Sequence, residues 1–270
     1  MTWPGFWWFV FICPPTPIFS RAGSFFFIMI RLVCIAKNEG PYINDWVEHH
    51  LRLGFDQVLI FNNGETPYNI DDARVIELKW TGTQIPCYNF YIQSIMQEND
   101  WALICDVDEY LILKEDDTIQ NFINSYNGAD AILLNWKVYG DNGLDYYENK
   151  PVMERFKEPA PIDCVYNDTL PVTENWHVKS LFKKTNKRMG YGNPHNIMIE
   201  GGLFVHESGR IIDSSPWVKP EWKYAWLNHY ITKSKQEWID RRLNKKDACG
   251  NKINVDNLKR WYKNLNGRSV

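Results

Sequence analysis

The chain has 270 residues, of which 44% are hydrophobic and 23% are charged. This length suits one large α/β domain, and the composition argues against disorder over most of the chain. A net charge of −3 provides no basic surface for a polyphosphate backbone, which argues against general nucleic-acid binding. The six cysteines form no C-x-x-C pair, which is typical of a reducing compartment and predicts a cytoplasmic protein.

Residues 1–28 form an apolar extension in which Arg21 is the only charge and prolines recur. A transmembrane helix needs about 20 uninterrupted apolar residues and a signal peptide begins with basic residues, so the segment fits neither pattern. Two interpretations stay open. The extension is either a weak anchor that gives peripheral membrane association, or an artefact of start-codon choice with Met29 as the natural start. The globular domain is predicted over residues 29–270.

Strand and helix patterns alternate after residue 29. Short apolar runs predict strands over residues 31–36, 57–61, 74–78, 101–105, 131–136, 177–184 and 202–206. Apolar residues at helical spacing predict helices over residues 42–53, 84–98, 119–126, 233–246 and 255–265. This alternation favours a Rossmann-like α/β/α sandwich with a mostly parallel central sheet, whose ligands bind beyond the carboxyl ends of the strands.

Two carboxylates follow the strand predicted over residues 101–105. In an extended segment, side chains two positions apart point the same way, so Asp106 and Asp108 can face one ion while Val107 faces the core. Such oxygens suit Mg²⁺ or Mn²⁺, which usually complete their shell with water and substrate phosphate. We therefore predict a cation site for a diphosphate leaving group. That the two acids only cap the following turn stays open as an alternative.

Several further motifs occur in a fixed order with this acidic pair. The first strand ends in Ala36-Lys37-Asn38-Glu39, and the helix after it carries Trp46-Val47-Glu48-His49-His50 and then Leu53-Gly54. The later motifs are Asp106-Val107-Asp108-Glu109-Tyr110-Leu111, Asn135-Trp136-Lys137-Val138-Tyr139-Gly140, Val178-Lys179-Ser180, Asn193-Pro194-His195, Val205-His206 and Asn228-His229-Tyr230-Ile231-Thr232-Lys233-Ser234. On these motifs, which extend over residues 31–242, the chain resembles the family-2-like and family-92-like glycosyltransferases of the GT-A fold.

The resemblance implies that a sugar moves from a nucleotide-activated donor, a UDP- or GDP-sugar, to a glycan, lipid-linked or protein-linked acceptor. The donor-binding residues that it implies are Ala36, Lys37, Asn38, Glu39, Asn62, Asn63, Asp106 and Lys179. Relatives often carry an aspartate where this chain has Asn62 or Asn63, and an asparagine there can still hydrogen-bond a base or ribose. Lys179 would neutralise phosphate charge, although a lysine in a strand is more often simply solvated.

The resemblance also implies a metal, Mn²⁺ or Mg²⁺, held by Asp106 and Asp108 on the donor diphosphate. His229 is a further candidate ligand through its neutral imidazole, with a core histidine as the alternative. His195 and His206 are rivals for substrate contact. By family analogy we expect inversion, which needs a carboxylate within reach of the acceptor hydroxyl. The candidates for this base are Glu109, Asp141 and Glu207, and also Asp145 and Glu174.

The polar, proline-bearing stretch of residues 137–171 predicts a lid or a binding loop on the acceptor side. Two other functions stay open. A metal-dependent nucleotidyltransferase or phosphohydrolase would use the same acids, and the 13 Trp, 14 Tyr and 14 Phe would suit a non-catalytic carbohydrate-binding protein. A Rossmann dehydrogenase is disfavoured, because no G-x-G-x-x-G motif follows the first strand.

Overall fold

A computed structural model of the protein describes residues 28–115, 118–162, 173–242 and 255–270. The predicted N-terminal extension up to residue 27, the end of the helix predicted over residues 233–246, and residues 163–171 of the polar stretch lie outside the described residues. None of the described helices has the length and apolarity that a bilayer crossing requires.

The described elements alternate along the chain much as their patterns predict. The strands are β1 (Ile30–Ala36), β2 (Gln57–Asn62), β3 (Val75–Lys79), β4 (Trp101–Ile104), β5 (Glu109–Leu113), β6 (Ala131–Val138), β7 (Val178–Lys183), β8 (Met189–Tyr191), β9 (Ile197–Ile199), β10 (Phe204–His206), β11 (Ile211–Ile212) and β12 (Ala225–His229). The helices are α1 (Gly40–Arg52), α2 (Gln84–Ser94), α3 (Ile119–Asn124), α4 (Val152–Arg155), α5 (Lys235–Arg242) and α6 (Val255–Asn266), with a 3-10 turn at Glu174–Trp176.

The central sheet has the strand order β11-β10-β6-β7-β4-β1-β2-β3. Parallel pairing joins β4, β1, β2 and β3 in sequence, and it also joins β6 to β10 and to β12. β7 runs antiparallel to both of its neighbours, and β12 pairs antiparallel with β5. The prediction of a Rossmann-like α/β fold with a mostly parallel sheet is therefore confirmed, with β7 as a reversal inside it.

Two hydrophobic cores cover the two faces of this sheet. In β1, Leu32 and Cys34 join α1, α3 and α6 in one core, whereas Val33 joins α2 and the β8–β9 hairpin in the other. Because both faces are covered, β1 is a continuous apolar run rather than an alternating one. Cys34, Cys87 and Cys105 are buried free thiols.

Helix α1 begins at the edge of the sheet where β1 ends. Pro41 lies in its first turn, where the missing N–H leaves no hydrogen bond unmade. Gly54 has a φ of +93° just beyond the last turn, a conformation that favours glycine. The apolar stripe between them packs onto the sheet, with the buried residues Tyr42, Ile43, Trp46, Val47, His50 and Leu51.

Some boundaries differ from the predictions for identifiable reasons. The helix predicted to reach residue 98 ends at Ser94, because the Asp100 carboxylate accepts the N–H of Gln97 at 3.0 Å and Asn99 adopts a φ of +70°. Strands β5 and β12 have no predicted counterpart. They pair with each other along their length, with Tyr110 opposite Asn228, and such non-local pairing leaves little local pattern.

Candidate functional site

Several chain ends meet at one edge of the central sheet. β1 and β4 are parallel neighbours, so the loop after Ala36 lies beside the turn after Ile104. β7 is antiparallel to β4 and starts at this edge, which brings Lys179 next to that turn. β12 ends at the same edge, where His229 is the register partner of Glu109. Polar groups from four strands therefore converge here.

Residues 106–108, which we call the acidic turn, form a tight turn rather than the predicted extended segment. The N–H of Glu109 donates to the carbonyl of Asp106 at 2.9 Å, which closes the turn. In return, the Glu109 carboxylate accepts the N–H of Asp106 at 2.9 Å. Val107 is buried as predicted. Because the backbone turns, Asp106 and Asp108 have different neighbours.

Asp106 is the more exposed of the two aspartates, with 34% of its side chain accessible. It accepts hydrogen bonds from Gln84 at 2.9 Å and from the Lys179 ammonium at 3.2 Å. Burial lowers the pKa of Lys179, but the carboxylates of Asp106 and Glu109 outweigh burial and raise it, so this lysine is charged. The Glu109 carboxyl group lies 3.5 Å from the Lys179 ammonium, and burial raises its pKa well above the usual value although the charge of Lys179 lowers it.

Asp108 lies between an imidazole and a second ammonium group. Its Oδ1 is 3.6 Å from Nε2 of His229, and its Oδ2 is 3.8 Å from Nζ of Lys233. The His229 ring packs on Trp136 with a centroid separation of 4.1 Å. Lys233 lies 4.3 Å above the ring of Tyr42, and its φ is +56°. A strained backbone of this kind in a non-glycine residue is frequent at functional sites.

An ion-pair network ties the loop after β1 to helix α5. Arg241 of α5 pairs with Glu39 at 2.6 Å. Glu237, one turn earlier, accepts two hydrogen bonds from Arg155 at 2.8 and 3.3 Å and one from the hydroxyl of Tyr42. This network holds helix α5 against β1 and α1. It therefore also holds Lys233, which lies just before α5, in position beside the acidic turn.

The predicted donor residues of the first loop border this edge. Ala36 is buried, and its carbonyl accepts the N–H of Asn63 at 2.8 Å. Lys37 and Asn38 are exposed, and Asn38 has a φ of +60°. A Cβ on Gly64 would lie 3.2 Å from the side-chain oxygens of Asn38 and Asn62, so a larger residue there would require these side chains to shift by a few tenths of an ångström.

The side chains of Asn62 and Asn63 are used inside the protein. Asn62 donates to the carbonyl of Thr66 at 2.9 Å and accepts the N–H of Gly64 at 2.7 Å. Asn63 donates to the carbonyl of Trp80 at 3.0 Å. These bonds shape the loop that follows β2. Their predicted contact with a nucleoside stays a prediction.

Two of the candidate bases make extensive internal contacts. Asp141 accepts hydrogen bonds from the hydroxyl of Tyr262 and from Nε of Arg268 at 2.8 Å, which anchors the C-terminal helix. Glu207 accepts backbone N–H groups from residues 223–225, the closest at 2.7 Å. Asp145 pairs with Arg268, and Glu174 accepts the Trp261 N–H at 3.2 Å. Glu109, by contrast, contacts the acidic turn through the N–H of Asp106.

The rival histidines differ in their surroundings. The Nε2 of His206 is 2.7 Å from the side-chain oxygen of Asn135, inside the core. His195 stacks on His177 at 4.6 Å and contacts Trp136 at 5.2 Å, so its ring belongs to the same aromatic cluster as His229. Burial, followed by the charge of Lys179, lowers the pKa of His195 to about 2, so its ring is neutral.

Metal ligation by Asp106, Asp108 and His229 stays a prediction. Within the described ranges, no group of three or more His, Cys, Asp or Glu side chains is arranged to hold a metal ion. Asp108 and His229 lie close together, whereas Asp106 turns toward Lys179 and Gln84. Lys233, Arg241 and Gln84 also belong to this region and were not predicted as site residues, because charged and polar residues in polar segments are normally solvated.

No protein-family model matches the chain, and no curated protein matches it. Among solved structures, it is similar to the bifunctional IspDF from Campylobacter jejuni, with 12% identity and a TM-score of 0.34 over 68% of this chain and 52% of that one. It is also similar to HddC from Yersinia pseudotuberculosis, with 12% identity and a TM-score of 0.30 over 64% of this chain and 78% of that one. The chain thus spans about half the length of IspDF. At these TM-scores the likeness has no bearing on activity.

Proposed function

We propose that this chain is a metal-dependent glycosyltransferase of the GT-A type, which moves a sugar from a nucleoside diphosphate donor to a glycan, lipid-linked or protein-linked acceptor. One observation carries the proposal: carboxylates, an imidazole and two buried lysines meet at the carboxyl edge of the sheet. A metal-bound diphosphate needs ligands for its cation and positive charges for its phosphate oxygens. Carboxylate oxygens and imidazole suit the cation, whereas ammonium groups suit phosphate oxygens.

Asp108 and His229 would supply two of the ligands of a divalent cation. Oδ1 of Asp108 and the Nε2 of His229 are 3.6 Å apart, and two adjacent ligands of one octahedral ion lie about 3 Å apart. Asp106, the third expected ligand, is accessible to solvent. Mn²⁺ or Mg²⁺ bound by these residues would neutralise negative charge that develops on the leaving diphosphate.

The surrounding residues would bind and orient the donor. Lys179 holds the Asp106 carboxylate and adds a positive charge close to the phosphates. Lys37 and Asn38 are exposed beside the acidic turn and are available to the nucleoside. In the transfer, the acceptor oxygen bonds to the anomeric carbon as that carbon loses its bond to the phosphate oxygen, which keeps the electron pair. The hydroxyl proton passes to a base, which stays a prediction among Glu109, Asp141 and Glu207.

Calorimetric titration of UDP and GDP, with Mn²⁺ or with EDTA, tests the donor site. We expect one nucleotide to bind in Mn²⁺, and we expect EDTA or Asp108→Asn to weaken that binding about tenfold or more. Asp213→Asn removes the same charge from an exposed position outside the site, and it should change the affinity by less than about twofold. A folded wild type that binds neither nucleotide in Mn²⁺ would overturn the proposal.

Turnover assays separate the alternatives that would use the same edge of the sheet. A glycosyltransferase releases a nucleoside diphosphate from a nucleotide sugar. A nucleotidyltransferase instead releases pyrophosphate from a nucleoside triphosphate and a sugar phosphate. A carbohydrate-binding protein would show neither reaction, and its affinity for glycans would survive the double variant Asp106→Asn/Asp108→Asn. Detection of either alternative pattern would replace the proposed reaction.

A further inference from the structure

Lys233 carries a buried ammonium group that the predicted metal site does not use. The side chain is 1% exposed, and its Nζ makes no hydrogen bond within the residues that the structure describes. Its closest acid is Asp108, with Nζ 3.8 Å from Oδ2. A buried ammonium is costly unless it is both paired and hydrogen-bonded. This position is therefore one where a bound anion would add stabilising contacts.

The other charged groups around Lys233 form ion pairs with one another. Glu39, in the loop after β1, pairs with Arg241 of α5 at 2.6 Å. Glu237, on the same helix, pairs with Arg155 of α4 at 2.8 Å. The charge of Arg241 acts on Lys233 in addition to burial, and together they lower the pKa of Lys233 to about 8. The surroundings thus offer Lys233 few internal partners.

Lys233 and Arg241 form a pair of cations over one aromatic ring. Their charged groups lie 4.3 and 5.6 Å from the centroid of the Tyr42 ring. Arg241 is 29% exposed and Asp108 is 13% exposed, so both of these charged neighbours of Lys233 reach solvent. The four-carbon stem of lysine is flexible, which lets the ammonium move a short distance toward an anion between them.

The two oxygens of Asp108 face opposite partners. Oδ1 faces His229, the candidate metal ligand, while Oδ2 faces Lys233. Phosphate oxygens that bind beside Asp108 would therefore have Lys233 and Arg241 as their nearest positive charges on the Oδ2 side. We propose that Lys233, with Arg241 beside it, binds the terminal phosphate of the leaving nucleoside diphosphate. This is the phosphate whose bond to the sugar breaks in the transfer. This inference rests on the proposed function.

The experiment compares diphosphates with monophosphates. Titrations of UDP against UMP and of GDP against GMP, in Mn²⁺, should show tighter binding of the matching diphosphate to the wild type. Lys233→Met keeps the length of the side chain and removes its charge. We expect it to weaken diphosphate binding about 10- to 100-fold and monophosphate binding by less than about twofold. Lys235→Met removes a partly exposed charge two residues away and should leave both affinities unchanged.

The outcomes distinguish this inference from the proposed function. If Lys233→Met weakens diphosphate and monophosphate equally, or weakens neither, Lys233 does not bind the terminal phosphate, while the donor site stands. If the wild type binds no nucleotide in Mn²⁺, both proposals fail. Lys233→Gln gives the same comparison should the methionine variant not fold. Lys233→Arg, which keeps the charge, should retain part of the preference for the diphosphate.

Discussion

Replacing Glu237 with glutamine would test the network that fastens helix α5 against α1. The Glu237 carboxylate accepts hydrogen bonds from Arg155 at 2.8 and 3.3 Å, from the Ser234 N–H at 3.0 Å and from the hydroxyl of Tyr42. Burial raises the pKa of Glu237, but these hydrogen bonds outweigh burial and lower it to about 2. The folded protein therefore favours the ionised form.

The magnitude follows from the linkage between proton binding and folding. Glu237 has an ordinary pKa of 4.5 when unfolded, so the lowered value corresponds to about 3 kcal/mol at 1.36 kcal/mol per pH unit. That stabilisation is complete above the unfolded pKa, and it is lost as the pH falls toward the folded pKa. We expect Glu237→Gln to lower the free energy of unfolding by about 3 kcal/mol near neutral pH.

Urea unfolding from about pH 7 to about pH 3 would measure this difference. The difference in unfolding free energy between wild type and Glu237→Gln should narrow as the solution becomes more acidic, because the Glu237 carboxylate of the unfolded wild-type chain then binds a proton that the folded chain does not. Glu154→Gln, an exposed carboxylate beside Arg155, is the matched control and should stay within about 0.5 kcal/mol of wild type. A Glu237→Gln loss no larger than the control, or a gap independent of pH, would refute the reasoning.

Other predictions concern the two sides of the acidic turn. Lys179→Met removes the buried partner of Asp106 and should lower the free energy of unfolding by about 1–3 kcal/mol. Lys183→Met, at the other end of β7, should change it by less than about 0.5 kcal/mol; equal losses in urea unfolding would contradict an ion pair that stabilises the turn. His229→Ala should weaken Mn²⁺-dependent nucleotide binding about tenfold or more. His206→Ala should lower the Tm without changing the Mn²⁺-dependent affinity for the nucleotide. If calorimetry shows that His206→Ala weakens this affinity and His229→Ala does not, His206 and not His229 would be the metal ligand.

The buried parallel strands could be predicted because their signal is local. β1 and β2 are short apolar runs covered on both faces, and each ends in polar residues that mark the carboxyl edge of the sheet. The position of Asp106 after β4 could be predicted on the same grounds. The partners of its carboxylate could not be predicted, because Lys179 comes from β7, whose direction depends on pairing with β4 across about 80 residues.

The conformation of the acidic turn and the burial of Lys233 were not predicted, for other reasons. Side chains two positions apart point the same way only in extended backbone. Here the hydrogen bonds between Asp106 and Glu109 turn the chain within three residues, so Asp106 and Asp108 do not face the same neighbours. Lys233 stands in a polar motif, where a lysine is normally solvated. Its burial follows from contacts with Tyr42 and Asp108, which are remote in sequence.

Because β7 runs antiparallel to β4, it begins at the edge of the sheet where β1 and β4 end. A lysine on a strand therefore lies beside carboxylates on loops. Loops follow the ends of β1 and β4, and they carry Glu39 and the acidic turn. β7 starts at the same edge, so Lys179 is held on a strand that pairs on both sides. A cation that is held on a strand keeps its position if the carboxylate beside it turns toward a metal. In the proposed site, Asp106 would therefore exchange its ion pair with Lys179 for metal ligation without loss of the positive charge that phosphate oxygens need.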